Sequence, residues 1–265
     1  MNKCSIGIFD SGLGGLTILK TLSAALPKEN YIYFGDTANT PYGSKSKNTV
    51  TRFSLDIARF LEKQKVKLII VACNTASALA LKDLQKKIPI PIMGVIKPGA
   101  LKAMQNTKNG RVAVLATEAT VQSNAYPTEL LRLNKKLRII QQPCPLFVPL
   151  IEEGWRHPKG GDCIIDDYLK PVIKSKADTL ILGCTHYPVI KQKIAKKLSK
   201  EVKLVDSAEV LAEEVKSFLQ KSGLLNTKSK GSLKVYASDD PARFKHLAKH
   251  ILGKELKQVY LKKLN

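Results

Sequence analysis

The sequence has no apolar run approaching the roughly 18 to 20 uninterrupted residues that a membrane-spanning helix needs. It has no C-x-x-C pair either. Its five cysteines, Cys4, Cys73, Cys144, Cys163 and Cys184, are odd in number and scattered, which argues against a disulfide framework and a structural zinc site. The N-terminus, Met1-Asn2-Lys3-Cys4-Ser5, runs straight into a short apolar segment ending at Asp10. That is too short for a secretory signal and offers no cleavage site. No segment is of low complexity. These absences predict a soluble, cytoplasmic chain of free thiols with no membrane partner.

Acidic residues are also scarce: 22 Asp and Glu stand against 44 Lys and Arg, for a net charge of +22. Such a field attracts anionic substrates and could draw the protein onto nucleic acid. Much of the excess lies on helix-like stretches such as Lys191–Lys200, and residues 216–265 hold 12 basic against 3 acidic side chains. A solvated basic face accounts for this without a partner. No helix-turn-helix, RNP or zinc-finger signature supports specific nucleic-acid recognition.

What is present is a rhythm. At 265 residues and 44% hydrophobic composition, the chain can bury a large core and form two domains. Strand candidates fall at 5–9, 31–34, 68–72, 92–95, 111–115, 137–141, 179–182, 203–205 and 233–237. Helix candidates fall at 14–25, 47–63, 76–87, 119–133, 161–174, 189–198, 207–222 and 242–252. This alternation predicts mostly parallel sheets covered on both faces. Ligands in such folds bind beyond the carboxyl ends of strands, so the residues just after each strand are the candidates for chemistry. Breakpoints lie near Ile96-Lys97-Pro98-Gly99 and near Asp206-Ser207.

Two post-strand turns look alike. Lys67–Ala72 is an apolar strand that delivers Cys73-Asn74-Thr75; Asp178–Gly183 delivers Cys184-Thr185-His186. Each thiol is expected at a helix N-terminus, where the dipole and free N–H groups lower its pKa. One such cysteine is as easily structural as catalytic. Two, one in each half of the chain, suggest a facing pair. Inverting a carbon that bears a hydrogen takes the proton from one face and returns it to the other, which two acid/base groups flanking the substrate can do. No lysine site for pyridoxal phosphate and no metal-ligand cluster is evident, so no cofactor is expected.

Other turns supply suitable groups. Asp10-Ser11 directly follows a strand and precedes Gly12-Leu13-Gly14-Gly15, which lacks the Lys-Ser/Thr of a P-loop and the spacing of G-x-G-x-x-G. Asp10 is placed to assist one thiol and His186 the other, although a turn histidine needs no function. Asp36 to Ser44 is a turn-rich loop containing Pro41, Tyr42 and Gly43, whose backbone could hold a carboxylate. Thr117 and Thr120 put two hydroxyls at a helix start. Glu152 and Glu153 either end a helix or serve the site.

The segments F-D-S-G-L-G-G (9–15), D-T-A-x-x-P-Y-G (36–43), A-C-N-T-A-S-A (72–78), C-P-L-F-V-P-L-x-E-x-G (144–154) and G-C-T-H-Y-P (183–188) together resemble the glutamate racemases of the aspartate/glutamate racemase superfamily. G-C-T-H-Y-P is the most specific, because relatives acting on aspartate usually depart from it after C-T. The resemblance implies cofactor-free interconversion of L- and D-glutamate, supplying D-glutamate for peptidoglycan. It implies Cys73 and Cys184 as the two acid/base groups, assisted by Asp10 and His186. Ser11, Pro41, Tyr42, Gly43, Asn74, Thr75, Thr117, Thr120 and Thr185 are then substrate-binding, together with Asp10 and His186, and Asp36 and Glu152 are supporting.

The fold it implies is α/β, with two pseudo-symmetric flavodoxin-like domains, 1–97 plus 207–265 and 98–206, and the site between them. Family members occur as monomers and as several kinds of homodimer, and some inhibit DNA gyrase, which keeps a gyrase or nucleic-acid contact in view. Two departures stand out: Asn39 replaces a frequent Arg, and Ala116 a frequent Gly. Members activated by a peptidoglycan precursor carry an N-terminal extension before the first motif, so no such activation is expected. Within the superfamily the runner-up is a racemase of aspartate or another amino acid.

Overall fold

The computed structural model describes residues 4–154, 158–228 and 230–264; the Met1–Lys3 part of the N-terminal reading lies outside them. Ten strands form two sheets among these residues. They are β1 (Ile6–Asp10), β2 (Tyr31–Gly35), β3 (Leu68–Val71), β4 (Ile92–Gly94), β5 (Arg111–Ala116), β6 (Arg138–Pro143), β7 (Thr179–Gly183), β8 (Lys203–Val205), β9 (Leu233–Ala237) and β10 (Tyr260–Leu261). The larger sheet has the order β10-β9-β2-β1-β3-β4 and the smaller β6-β5-β7-β8. Every pairing is parallel. The fold is thus α/β in two sheet-centred parts, as the alternation predicts.

The apolar runs become central strands because both of their faces are covered. Ile6 and Ile8 of β1 pack into a core with Leu16, Leu19 and Leu211. Phe9 joins a second core on the opposite face with Val50, Ile57 and Leu61. In the smaller sheet, Leu180 and Leu182 of β7 face Phe147, Ile165 and Leu169, while Ile181 faces Tyr126 and Leu130. Period-2 alternation therefore sorts side chains between two cores rather than between core and water.

The helices depart from the sequence reading in definite ways. The stretch expected over 76–87 is two helices, Asn74–Leu79 and Leu81–Lys87, separated at Ala80. The one expected over 119–133 breaks at Asn124, which adopts the left-handed conformation (φ 53°), into Glu118–Gln122 and Ala125–Leu133. The stretch expected over 189–198 is a 3₁₀ turn, Tyr187–Ile190, followed by the short helix Lys191–Lys196. Ile96-Lys-Pro-Gly, read as a breakpoint, opens the helix Ile96–Asn106. Pro98 sits in its first turn, where no intrahelical N–H bond is lost. This helix carries the chain from the larger sheet to the smaller, and Ala208–Lys221 follows β8 on the way back. The helix Phe147–Glu152 ends at Glu152, one of the two readings of that acidic pair, whereas the two-residue strand β10 was not anticipated.

The lysine-rich stretch after β7 is partly compensated. Lys193 and Lys197 reach Asp162 (3.4 Å) and Asp166 (2.8 Å) on the helix Pro158–Lys174, and Lys191 reaches Asp206 (3.1 Å). These pairs are solvent-facing and individually contribute little. Among the described residues, no helix is long and apolar enough to cross a membrane.

Candidate active site

The carboxyl ends of four strands converge. In the larger sheet β1 ends at Asp10 beside β3, which delivers Cys73. In the smaller, Ala116 at the end of β5 pairs with Gly183 at the end of β7, so Thr117 and Cys184 emerge side by side. Hydrogen bonds join the two ends across the gap. Thr185 Oγ1 donates to Asp10 Oδ1 (3.3 Å), Thr17 Oγ1 to the Thr185 carbonyl (3.3 Å), and Tyr126 Oη to Asn74 Oδ1 (2.7 Å). The hydroxyls of Thr75, Thr117 and Thr120 form a triangle with edges of 2.9, 2.9 and 3.3 Å. Each can donate or accept.

Cys73 caps the helix Asn74–Leu79, its sulfur accepting the Ala76 N–H at 3.4 Å, and its thiol points at Ser11 Oγ (3.8 Å). The helix terminus does not lower its pKa as expected. Burial pushes the thiol up to about 12, the charges of Asp10 and Cys184 add to the rise, and the Ala76 N–H and Ser11 only partly offset it. Desolvation outweighs the terminus because the thiolate is almost wholly removed from water. Asp10 is likewise buried and its pKa raised, although the nearby His186 charge, the Gly15 and Gly12 N–H groups and Thr185 all pull it down. The Cys73 side therefore presents a neutral thiol next to a carboxylate that holds a proton more tightly than usual.

Cys184 is not at an α-helix N-terminus; a turn and the 3₁₀ segment Tyr187–Ile190 follow it. Its polar partner is a side chain. His186 Nδ1 lies 3.8 Å from Cys184 Sγ, and His186 Nε2 lies 3.0 Å from Glu152 Oε1. Burial would depress His186, but the bonds and charges of Cys184 and Glu152 carry it well above the ordinary imidazole value. Glu152 is the last residue of Phe147–Glu152, so it ends a helix and also orients the histidine. Tyr187 anchors the turn by donating to the Cys144 carbonyl (3.2 Å).

The loop after β2 closes a third side. Buried Asp36 accepts from Tyr42 Oη (2.5 Å), Asn39 Nδ2 (3.1 Å) and Ser238 Oγ (2.7 Å). It thus holds Tyr42 and Gly43 in place from beneath. Asn39, the departure noted in the sequence, is spent on this anchor. The Thr40–Pro41 peptide is cis, and Pro41 lines a cavity of about 390 Å³ with Gly12, Thr40, Glu152 and Arg243. Gly43 sits so close to Thr117 that a Cβ would lie 2.7 Å from its Cβ and Cγ2.

Of the fifteen candidate residues, Asp10, Ser11, Asp36, Tyr42, Gly43, Cys73, Asn74, Thr75, Thr117, Thr120, Glu152, Cys184, Thr185 and His186 take part in the contacts above, and Pro41 lines the adjoining cavity. Two tyrosines were missed. Tyr33 donates from beneath the site to the Gly12 carbonyl (2.9 Å) and thereby fixes the turn after Asp10; nothing in the strand sequence Tyr31-Ile-Tyr33-Phe-Gly distinguishes it from Tyr31, whose hydroxyl bonds the Leu22 and Leu26 carbonyls instead. Tyr126 read as an ordinary apolar position of a longer helix. Among the described residues, no three His, Cys, Asp or Glu side chains come together as a metal site.

The Asp/Glu/Hydantoin racemase family matches residues 13–215. A glutamate racemase of Geobacter metallireducens is 49% identical over 257 residues, covering 97% of this chain and 95% of the relative. The fold superposes on a glutamate racemase isoform from Bacillus anthracis with a TM-score of 0.94 at 35% identity, covering 100% of this chain and 98% of that one. It superposes on the Francisella tularensis glutamate racemase, solved in complex with D-glutamate, with a TM-score of 0.93 at 40% identity, covering 100% and 99%. With 49% identity to a glutamate racemase over nearly its whole length, and a fold shared with solved glutamate racemases, the chain belongs to the Asp/Glu racemase family, on its glutamate racemase branch.

Proposed function

We propose that the chain interconverts L- and D-glutamate by a two-base proton transfer at Cα between Cys73 and Cys184, without a cofactor, and that in the cytoplasm it supplies D-glutamate for peptidoglycan. One sulfur, as thiolate, takes the α-proton, and the electron pair of the broken C–H bond is delocalised into the α-carboxylate. The other sulfur, as thiol, gives its proton to the opposite face. The thiol and thiolate have then exchanged places, and the reverse reaction starts from that state.

One observation carries this reading. The turns bearing Cys73 and Cys184 follow strands of two different sheets, and the Asp10–Thr185 hydrogen bond ties the Cys184 turn to the end of β1, the strand paired with the one before Cys73. Each sulfur also has its own assistant. His186, held protonated by Glu152, offers its Nδ1 proton on the Cys184 side. Asp10 and Ser11 stand on the Cys73 side, where burial keeps the thiol neutral. The amide of Asn74 and the hydroxyls of Thr75 and Thr185 suit the developing charge on the α-carboxylate. The Tyr42-Gly43 backbone with Thr117 and Thr120 suits the side-chain carboxylate. D-glutamate in the Francisella relative supports the same substrate here. We place the domain boundaries at 1–97 plus 207–265 and 98–206, with the substrate between.

Incubation with L-glutamate in heavy water tests the proposal. Loss of optical signal should accompany incorporation of solvent deuterium at Cα. A protein that produces neither is not this enzyme, and a parallel run with L-aspartate separates the runner-up substrate.

A further inference from the structure

We propose that Tyr126 is a positioning residue of the site: its hydroxyl fixes the Asn74 side-chain amide so that Nδ2 is presented to the substrate. This rests on the reading that the substrate lies between Cys73 and Cys184.

Tyr126 is almost completely buried and belongs to the helix Ala125–Leu133 beside the smaller sheet. Asn74 is the first residue of the helix Asn74–Leu79 that follows β3 of the larger sheet, next to its cap Cys73. Their hydrogen bond, Tyr126 Oη to Asn74 Oδ1 at 2.7 Å, spans 52 residues of sequence. A buried phenol must place its proton on an acceptor, and Oδ1 is the amide atom able to take it. With Oδ1 committed, the planar amide turns its Nδ2 donors away from the tyrosine. Asn74 lines a cavity of about 340 Å³ together with Cys184, Thr185 and Thr17, so the residue next to Cys73 also borders the turn that carries Cys184.

The ring cannot drift. It lies in a slot between two glycines: a Cβ on Gly99 would stand 3.2 Å from Tyr126 Cε1 and Oη, and one on Gly183 would stand 3.1 Å from Cε2. Gly99 is in the helix that carries the chain between sheets, and Gly183 immediately precedes Cys184. Tyr126 therefore touches the residue after one cysteine and the residue before the other. Burial and the neighbouring Cys184 and Asp206 charges raise its pKa far above that of a free phenol, so the hydroxyl remains a donor.

A double-mutant cycle tests the assignment. Tyr126→Phe keeps the ring in its slot and removes only the hydroxyl. We expect KM for L-glutamate to rise about 10-fold, the size of one lost hydrogen bond to a presented donor, with kcat changed far less and the thermal midpoint nearly unchanged. Asn74→Ala should cost more. The Tyr126→Phe/Asn74→Ala double variant should be no worse than Asn74→Ala alone, because the tyrosine acts through the asparagine. Wild-type kinetics in Tyr126→Phe, or additive losses in the cycle, overturn the proposal. If Tyr126→Phe does not fold, Asn74→Asp decides: it retains an acceptor for the tyrosine and removes the donor. It should lose substrate affinity at least as severely as Asn74→Ala, and a wild-type KM would overturn the assignment. A wild-type protein inactive on L-glutamate would instead refute the functional reading itself.

Discussion

Thr185 Oγ1 donates to Asp10 Oδ1 across 3.3 Å, so the residue after Cys184 touches the carboxylate standing beside Cys73. This bond runs between residues 175 positions apart and couples the proton affinity of one half-site to the side chains of the other. Asp10 is raised by burial, and Thr185 is among the donors that hold it down. Removing that donor leaves the carboxylate more reluctant to ionise.

Thr185→Val should therefore lower kcat/KM at neutral pH by about 10-fold, in line with a hydrogen bond to a charged group. The acid limb of the pH profile should move to higher pH. In an Asp10→Asn background the same substitution should leave that limb in place. A limb that moves equally in both backgrounds would show that Thr185 acts through some other group.

Cys73→Ala and Cys184→Ala should each abolish racemisation, since one face of Cα loses its proton carrier in either variant. Replacing either cysteine by serine should still permit one-sided exchange or elimination on activated analogues. Full interconversion by either alanine variant, read by circular dichroism, contradicts the two-base assignment.

The positions of the candidate residues at the strand ends were legible in the sequence because buried parallel strands read as continuous apolar runs. β3 and β7 could be located by such runs alone, and a cysteine follows within two residues of each, Cys73 after Ala72 and Cys184 directly. What periodicity could not show is desolvation. The helix start after Cys73 was visible, but not the burial that overrides it and drives the thiol to about 12. Nor could local pattern distinguish the 3₁₀ turn after Cys184 from a helix, because Pro188 is equally at home in both. Tyr126 was invisible for a different reason. Its partner Asn74 and its glycine slot at 99 and 183 come from three separate segments, and no window of sequence contains them together. The strand β10 is two exposed residues long, too short to carry any period.

Glu152→Gln should weaken the hold on the His186 proton. Because that proton is bound more tightly in the folded state than in the unfolded, the stability it contributes is full below about pH 6.5. It is lost as pH rises through the elevated folded value. Glu152→Gln lowers the folded value, so its deficit in thermal midpoint relative to wild type should be greatest near pH 6 and shrink toward alkaline pH. A deficit that is constant across this range would mean that His186 does not carry the charge that Glu152 is placed to balance.

Gly43→Ala tests the closing loop. The added methyl would stand 2.7 Å from Thr117, and Thr117 is bonded to Thr75 and Thr120. Displacing it moves the whole hydroxyl triangle, so kcat/KM should fall by about 100-fold, the usual cost of an ångström-scale misplacement. Gly160→Ala, whose Cβ meets nothing within 4 Å, serves as the neutral control. Equal activity in the two variants would remove the loop from the site.

A buried ion pair far from this chemistry provides the opposite test, of stability without activity. Lys67 Nζ lies 2.5 Å from Glu29 Oε2 and also donates to the Leu224 carbonyl, while Glu29 Oε1 accepts the Asn226 N–H at 2.8 Å. Both side chains are almost wholly removed from water, at 3% and 1% exposure. They fasten the segment after Ala208–Lys221 to the amino ends of the central strands β2 and β3, opposite the end that carries Cys73. Lys67→Met leaves a carboxylate buried without its counter-charge, which should destabilise the fold by about 3–5 kcal/mol in denaturant unfolding. Replacing both partners, as Lys67→Met with Glu29→Leu, should recover part of that loss, since the orphaned charge is gone although the Glu29 carboxylate no longer accepts the Asn226 N–H. Below their unfolding transitions, both variants should racemise glutamate at nearly the wild-type rate. A large loss of kcat in the folded variants would mean that the amino ends of these strands communicate with the site.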